Sequence, residues 1–313
     1  MSAVFRGEPL AAIVGHVQGC LAGGAEVVEI EVLDPDLGRG RHAGERVDVA
    51  GEAWRHRPLR VWVDLAGRLG LRLCTPRVVD GVRVSLRFER LGQEDGAGEG
   101  SEKYGADSRF ARITKLEDGD FLLDLREAIG RVGLRADARV LELGVNRGDV
   151  LEFIAGCVPG LASGGTFVGV DHSRSALELA RGRFSGRNAR FVEADLGRLA
   201  ELGLGEFDLV VAFDTLQSSG LDDRALLRHV VQRCLAPDGA LVIGLPNCRY
   251  RDGEVVHGAR MRNFSQPELG LLIKDLTFYR KYMQQHGRTV YLTGKYEVLL
   301  TAVARRAGPA DVA

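Results

Sequence analysis

The chain has 313 residues, 45% hydrophobic and 27% charged, with 42 basic side chains set against 43 acidic ones. This is ordinary globular make-up with room for two domains, and a net charge of -1 excludes a protein that grips nucleic acid through overall charge. No apolar run nears the roughly 20 residues of a membrane span, the first ten residues lack a leader pattern, and five dispersed cysteines without a Cys-x-x-Cys pair indicate neither disulfides nor a metal site, so the expectation is cytoplasmic.

In chain order, residues 1–90 read as a small α+β module. Leu10 to Leu21 has helical apolar spacing, Ala25 to Leu33 alternates like a half-buried strand, and Arg57 to Leu69 is an amphipathic helix carrying Trp62. Leu71–Thr75 and Val82–Phe88 follow as a strand pair. Residues 91–108 are rich in glycine and acids and nearly free of aliphatics, the composition of a solvated linker. Helical segments are expected at Arg109–Leu116 and Asp120–Ile129. Residues 306–313 form a short tail.

Five elements then recur in register. Arg139 to Leu143 is a buried strand containing Glu142, and it feeds a small-residue turn from Gly144 to Gly148 and the apolar helix pattern of Val150, Leu151, Phe153 and Ile154. A dinucleotide fingerprint is excluded, because its three glycine positions are here Gly144, Asn146 and Asp149. Thr166–Asp171 is a second strand ending in a carboxylate, Arg190–Asp195 a third, Phe207–Asp214 a fourth, and Leu235–Asn247 a turn into a fifth.

The motif acidic-x-Gly-x-Asn-x-Gly, with those strands at these intervals, resembles class I S-adenosylmethionine (SAM) methyltransferases over residues 109–305. The resemblance implies an α/β, Rossmann-like, mostly parallel sheet of seven strands, with Val290–Thr293 and Glu297–Val303 as the last two, antiparallel at one edge. It implies SAM as cofactor, held by Glu142, Gly144, Asn146, Gly148, Asp171, His172, Ala194, Asp195 and Phe213. Glu142 would orient the cofactor and Asp171 would accept from the ribose hydroxyls, with Asp195 near the adenine amino group. The resemblance also makes Tyr104, Phe110 and Arg112 candidate lid residues, although plain packing of Phe110 and Ile113 on the core explains that stretch as well. Asn146 replaces the usual middle glycine, and asparagine is the side chain that best tolerates a left-handed backbone. Two plain alternatives stay open: Glu142 satisfied by the turn's own amides, and Asp171 as an ordinary helix N-cap.

Methyl transfer needs alignment and exclusion of water, and a base only where the nucleophile must lose a proton. The loop beyond the fourth strand, Asp214 to Ser219, is where such a group belongs, which makes Asp214 and Gln217 the catalytic candidates, although Asp214 would serve equally as a helix cap. A long irregular insertion after the fifth strand supplies Asn247, Arg249, Tyr250, His257, Arg260 and Arg262 as substrate-binding candidates. Basic residues outnumber acids there and aromatics are interleaved, which suits a small anionic acceptor or RNA. A solvated loop explains the same residues, and a SAM-binding regulatory or assembly protein remains the non-catalytic alternative.

Overall fold

The computed structural model describes residues 2–92, 112–218, 220–258 and 269–305. Two compact units are present. The first takes the described residues up to Gly92 together with Tyr250–His257, and the second takes the rest.

The first unit runs β1 (Ala3–Val4), α1 (Leu10–Ala22), β2 (Val27–Leu33), β3 (Arg46–Val49), β4 (Glu52–Arg55), α2 (Leu59–Leu69), β5 (Leu71–Leu73), β6 (Arg77–Val78) and β7 (Arg83–Arg90). Its sheet order is β1-β2-β7-β5, with β6 also paired to β7, so the last strand in sequence is the central one. Alternation explains this placement. Val84, Leu86 and Phe88 of β7 join Val28, Ile30 and Val32 of β2 in a core closed by Ile13, Val17, Trp62 and Ala66 from the helices. On the other face, Arg83 and Arg87 pair across the strands with Glu31 and Glu29 at 2.7 and 3.1 Å. The β3–β4 hairpin, a small element with no counterpart in the sequence reading, turns on Ala50 and Gly51, both left-handed (φ 54 and 79).

The second unit contains α3 (Gly119–Val132), β8 (Arg139–Leu143), α4 (Asp149–Cys157), α5 (Leu161–Gly164), β9 (Thr166–Asp171), α6 (Arg174–Arg183), β10 (Ala189–Glu193), β11 (Phe207–Phe213), α7 (Asp223–His229) and β12 (Leu235–Pro246). After β12 come β13 (Cys248–Arg251) and β14 (Glu254–His257), then α8 (Leu269–Gln285), β15 (Arg288–Thr293) and β16 (Glu297–Ala304). The seven-stranded sheet has the order β10-β9-β8-β11-β12-β16-β15. Strands β8 to β12 are parallel, and β16 is antiparallel to both β12 and β15, which leaves β15 as the edge strand. Near-continuous apolar runs in β8, β9 and β11 are buried on both faces, one against Leu125, Ile154 and Leu177, the other against Leu227, Tyr279 and Met283. Helix starts are capped by side chains: Asp118 accepts from Asp120 and Phe121 amides, Ser173 from Ala176, and Asp222 from Ala225. Among the described residues no helix is long and apolar enough to cross a membrane.

Two local expectations are corrected. Of the segment expected as a helix at 109–116, the described part holds no α-helix, only 3-10 backbone at Arg112 and the 3-10 turn Lys115–Glu117 ahead of α3. The insertion expected to be irregular begins instead as the β13–β14 hairpin, because Asp252-Gly253 supplies a two-residue turn with both residues left-handed (φ 50 and 79). Residues 250–257 of that hairpin belong to the first unit.

Candidate functional site

In a parallel α/β sheet the ligand crevice lies at the carboxyl ends of the strands, where the strand order reverses. Here that point falls between β8 and β11. Two loops meet there, Gly144–Gly148 after β8 and Asp214–Ser218 after β11. Thr215 Oγ1 joins them, donating within 3.0 Å of the Leu143 carbonyl and 2.8 Å of the Phe213 carbonyl. The contact explains Gly144, whose φ is 73: a Cβ there would stand 2.3 Å from Thr215 Oγ1. Gly148 (φ 80) faces Phe184 and Ala180, which brings α4 close to α6. Asn146 is left-handed (φ 48), and its Oδ1 accepts from the Arg147 amide at 2.8 Å.

Of the carboxylates, Asp171 rather than Glu142 takes the turn's amide. Asp171 Oδ2 accepts from Asn146 N at 2.8 Å and its Oδ1 from Ser173 N at 2.9 Å. The cap of α6 is Ser173, so Asp171 fixes the turn from below instead of capping the helix. Glu142 is 3% exposed, and its Oε2 has no hydrogen-bond partner among the described residues. Burial, with repulsion from Asp171 and Asp149, pushes its carboxyl well above the usual range. A buried acceptor atom without a partner is what a ligand ammonium or hydroxyl would satisfy. Asp195, at the end of β10, is exposed and bonds the Gly197 amide at 2.8 Å; Ala194 is half-buried and His172 exposed. Phe213 is buried, edge-on to Phe121 with centroids 5.5 Å apart. These groups suit a zwitterionic nucleoside ligand.

The β11 loop carries a feature that no motif announced. Asp214, left-handed at φ 53, does not cap α7; it pairs with Lys115 Nζ, which also lies 2.7 Å from Glu297 Oε2. Burial pulls Lys115 down, but Asp214 and Glu297 outweigh it and hold the ammonium above the usual lysine range. Burial and Asp214 together push Glu297 up to about 8, with Lys115 opposing. Cys248 is pushed up to about 12 by burial, then by Glu297 and Asp214, which leaves it a neutral thiol. Both polar atoms of the Gln217 side chain are buried without a partner among the described residues.

The substrate-binding candidates do not form one group. Arg260 and Arg262 lie outside the described residues, as do Tyr104 and Phe110; Arg112 is exposed. Asn247 is buried at the end of β12, its Nδ2 donating to the Lys295 carbonyl at 2.9 Å. Tyr250 and His257 are in the first unit, while Arg249 stays with the second. Arg251 spends its guanidinium on the carbonyls of Gly92 and Leu91 (2.7 and 3.3 Å), and Arg72 holds Glu254 at 2.8 Å. A depression of about 540 Å³ beside the turn includes Arg147 and Arg183, but Asp149 and Glu152 already neutralise both.

Residues 141–241 match the family described as "Methyltransferase domain". Residues 141–241 carry a methyltransferase domain. S-adenosylmethionine is the cofactor of such a domain, and the strand order and acidic strand ends of the second unit are those of this fold. Among curated proteins, this chain is 33% identical over 123 residues to a trans-aconitate 2-methyltransferase of Paracidovorax citrulli (strain AAC00-1); the match covers 39% of this chain and 44% of that protein. Among solved structures, a precorrin-6y C5,15-methyltransferase from Geobacter metallireducens GS-15 is 18% identical, with a TM-score of 0.42 over 62% of this chain and 90% of its own. A SAM-dependent methyltransferase from Aquifex aeolicus is 17% identical, with a TM-score of 0.44 over 62% and 98%.

Proposed function

We propose that the chain is a SAM-dependent methyltransferase that works by direct displacement, with its acceptor approaching over the β11 loop. The observation that carries this reading is the pair formed by the left-handed turn Gly144–Gly148 and the carboxylates beside it, Glu142 with an unpartnered oxygen and Asp171 bonded by the Asn146 amide of the turn. SAM supplies a methyl group already activated on a sulfonium. The chain's residues have the remaining work of orientation. In this reading Asp171 would contact the ribose, Asp195 the adenine, and Glu142 would steady the amino-acid portion. Phe213 and Phe121 give the crevice an apolar wall that excludes water. Asp214 and Gln217 stand on the acceptor side, where they would orient the nucleophile.

A carboxylate acceptor is the second reading, favoured by the 33% identity to a protein named for methylating trans-aconitate. An RNA acceptor has less support, since Arg251 in the basic segment is spent on backbone carbonyls. Calorimetry with SAM and with NADH tests the cofactor: micromolar SAM binding with no NADH binding is expected, and the reverse would remove the proposal. Tritiated SAM incubated with cell extract, followed by separate nuclease and protease digestion, then shows whether the label sits on RNA, protein or a small molecule.

A further inference from the structure

Lys115, Asp214 and Glu297 come from three distant stretches of the chain and meet at the carboxyl ends of β11 and β12. Glu297 opens β16 opposite Pro246 and is 5% exposed. A Cβ on Gly244 would fall 2.2 Å from Glu297 Oε1, so β12 carries a glycine where this carboxylate needs room. Burying a carboxylate at such a point is costly, and a structural ion pair would need one acid for one lysine. Two acids share this lysine. The cluster therefore bears an unbalanced negative charge or holds one proton. Asp214 is the more exposed of the two acids, with 48% of its side chain open to solvent against 5% for Glu297.

Resting on the methyl-transfer reading above, we propose that Glu297, held by Lys115, takes up the acceptor's proton through Asp214, so that the acceptor is a protic group (hydroxyl, amine or acidic C–H) and not a carboxylate. In the step, the acceptor's X–H bond breaks and its electron pair forms the new bond to the methyl carbon. The carbon–sulfur bond breaks with its pair going to sulfur, which turns the sulfonium into a neutral thioether. The proton passes to Asp214, on to Glu297, and to solvent when product leaves. No oxidant or further reactant is required. Glu297 and Lys115 are positioning residues, since only Asp214 meets the acceptor.

The ionisable groups around Glu297 are Lys115 from the 3-10 turn and Asp214 from the β11 loop, with Cys248 at the start of β13 and Asp118 at the cap of α3 beyond them. Lys115 stays charged and Cys248 neutral, so Glu297 is the member that changes state near neutrality. It must be a carboxylate to receive a proton. Transfer should therefore rise with pH through about 8 and run about tenfold slower at pH 7 than on the plateau.

The test uses the full chain, tritiated SAM and cell extract as the acceptor source. Labelled product is treated with mild alkali, which releases a methyl ester as volatile methanol and leaves ethers, amines and C-methyl groups intact. Alkali-stable label supports the proposal; alkali-labile label identifies a carboxyl acceptor and overturns it. Glu297→Gln is then expected to bind SAM within twofold of wild type, to lose at least tenfold in transfer at pH 8, and to lose the limb near pH 8. A variant that keeps both its rate and that limb also overturns the relay. If Glu297→Gln does not fold, the alkali result on the wild-type chain still decides. Failure of the wild-type chain to bind SAM would sink the methyltransferase reading itself, whereas SAM binding with alkali-labile label sinks only the relay.

Discussion

The turn after β8 and the loop after β11 stand at the same edge of the same sheet, yet they are held by opposite means. Gly144–Gly148 is fixed through its own backbone: left-handed residues, the Asn146 amide bonded to the Asp171 carboxylate, and the amides of Gly144 and Val145 both donating to the Val170 carbonyl of the neighbouring strand. Asp214–Ser218 is fixed by side chains: Thr215 reaching back to β8, and Lys115 drawing Asp214 toward Glu297. Backbone restraint ties a turn to a few residue types and so to one ligand shape. Side-chain restraint lets the loop change its chemistry while the sheet stays the same. In the function proposed above, the common cofactor is held by the first and the particular acceptor by the second.

The comparison predicts where substitutions hurt, and how. Gly144→Ala should do most damage, since it forces a Cβ against Thr215 Oγ1 at a left-handed residue. About 3 kcal/mol of stability should be lost, seen in calorimetry as a fall in Tm of roughly 6–12 °C. An unchanged Tm would mean that the turn is as compliant as the loop opposite. Lys115→Met should cost about 2 kcal/mol at pH 9 and less at pH 6. The sign follows from Glu297, whose folded-state value is already raised to about 8 and rises further without the lysine. An acid raised on folding penalises its ionised form, and the penalty builds from the unfolded value up to the folded one; without the lysine that upper limit lies above about 8, so the extra loss opens only as pH rises past about 8. Equal losses at both pH values would show that Glu297 is not the group responding.

Asp171→Ala should weaken SAM binding by roughly 10–100-fold, the worth of a charge-assisted hydrogen-bond pair. It should also lower Tm by a few degrees, because the same carboxylate holds Asn146 N and Ser173 N. Unchanged affinity by calorimetry would remove Asp171 from the site. Asn146→Gly should be nearly silent, within about 1 kcal/mol, since glycine relieves φ 48 while forfeiting the bond to Arg147 N. A large loss would place the asparagine side chain in direct service to the cofactor.

Legibility followed the same division. Turn residues near one another in sequence announce themselves, because a φ of 48 or 73 admits few side chains; Asn146 in its left-handed place and the strands around it were readable for that reason. The ionic cluster was not. Lys115 stands 99 residues from Asp214 and 182 from Glu297, and periodicity carries no information across such separations. The one local hint was an acid opening the otherwise apolar run Glu297 to Ala304. Asp252-Gly253 was a readable hairpin turn hidden by the basic residues around it, and β7 reads like any alternating strand, with nothing local to mark it as central.

The hairpin has a consequence for how the chain is made. The first unit is completed by Tyr250–His257, with Arg251 bonded to Leu91 and Gly92 and Arg72 to Glu254. On the ribosome, its leading portion emerges long before those eight residues exist. A gap on the order of 150 residues amounts to roughly 10–30 s at typical elongation rates of about 5–20 residues per second. The nascent module must wait, incomplete, while the parallel strands β8 to β12 of the second unit are all synthesised. Closing it would then report that β12 has already left the tunnel.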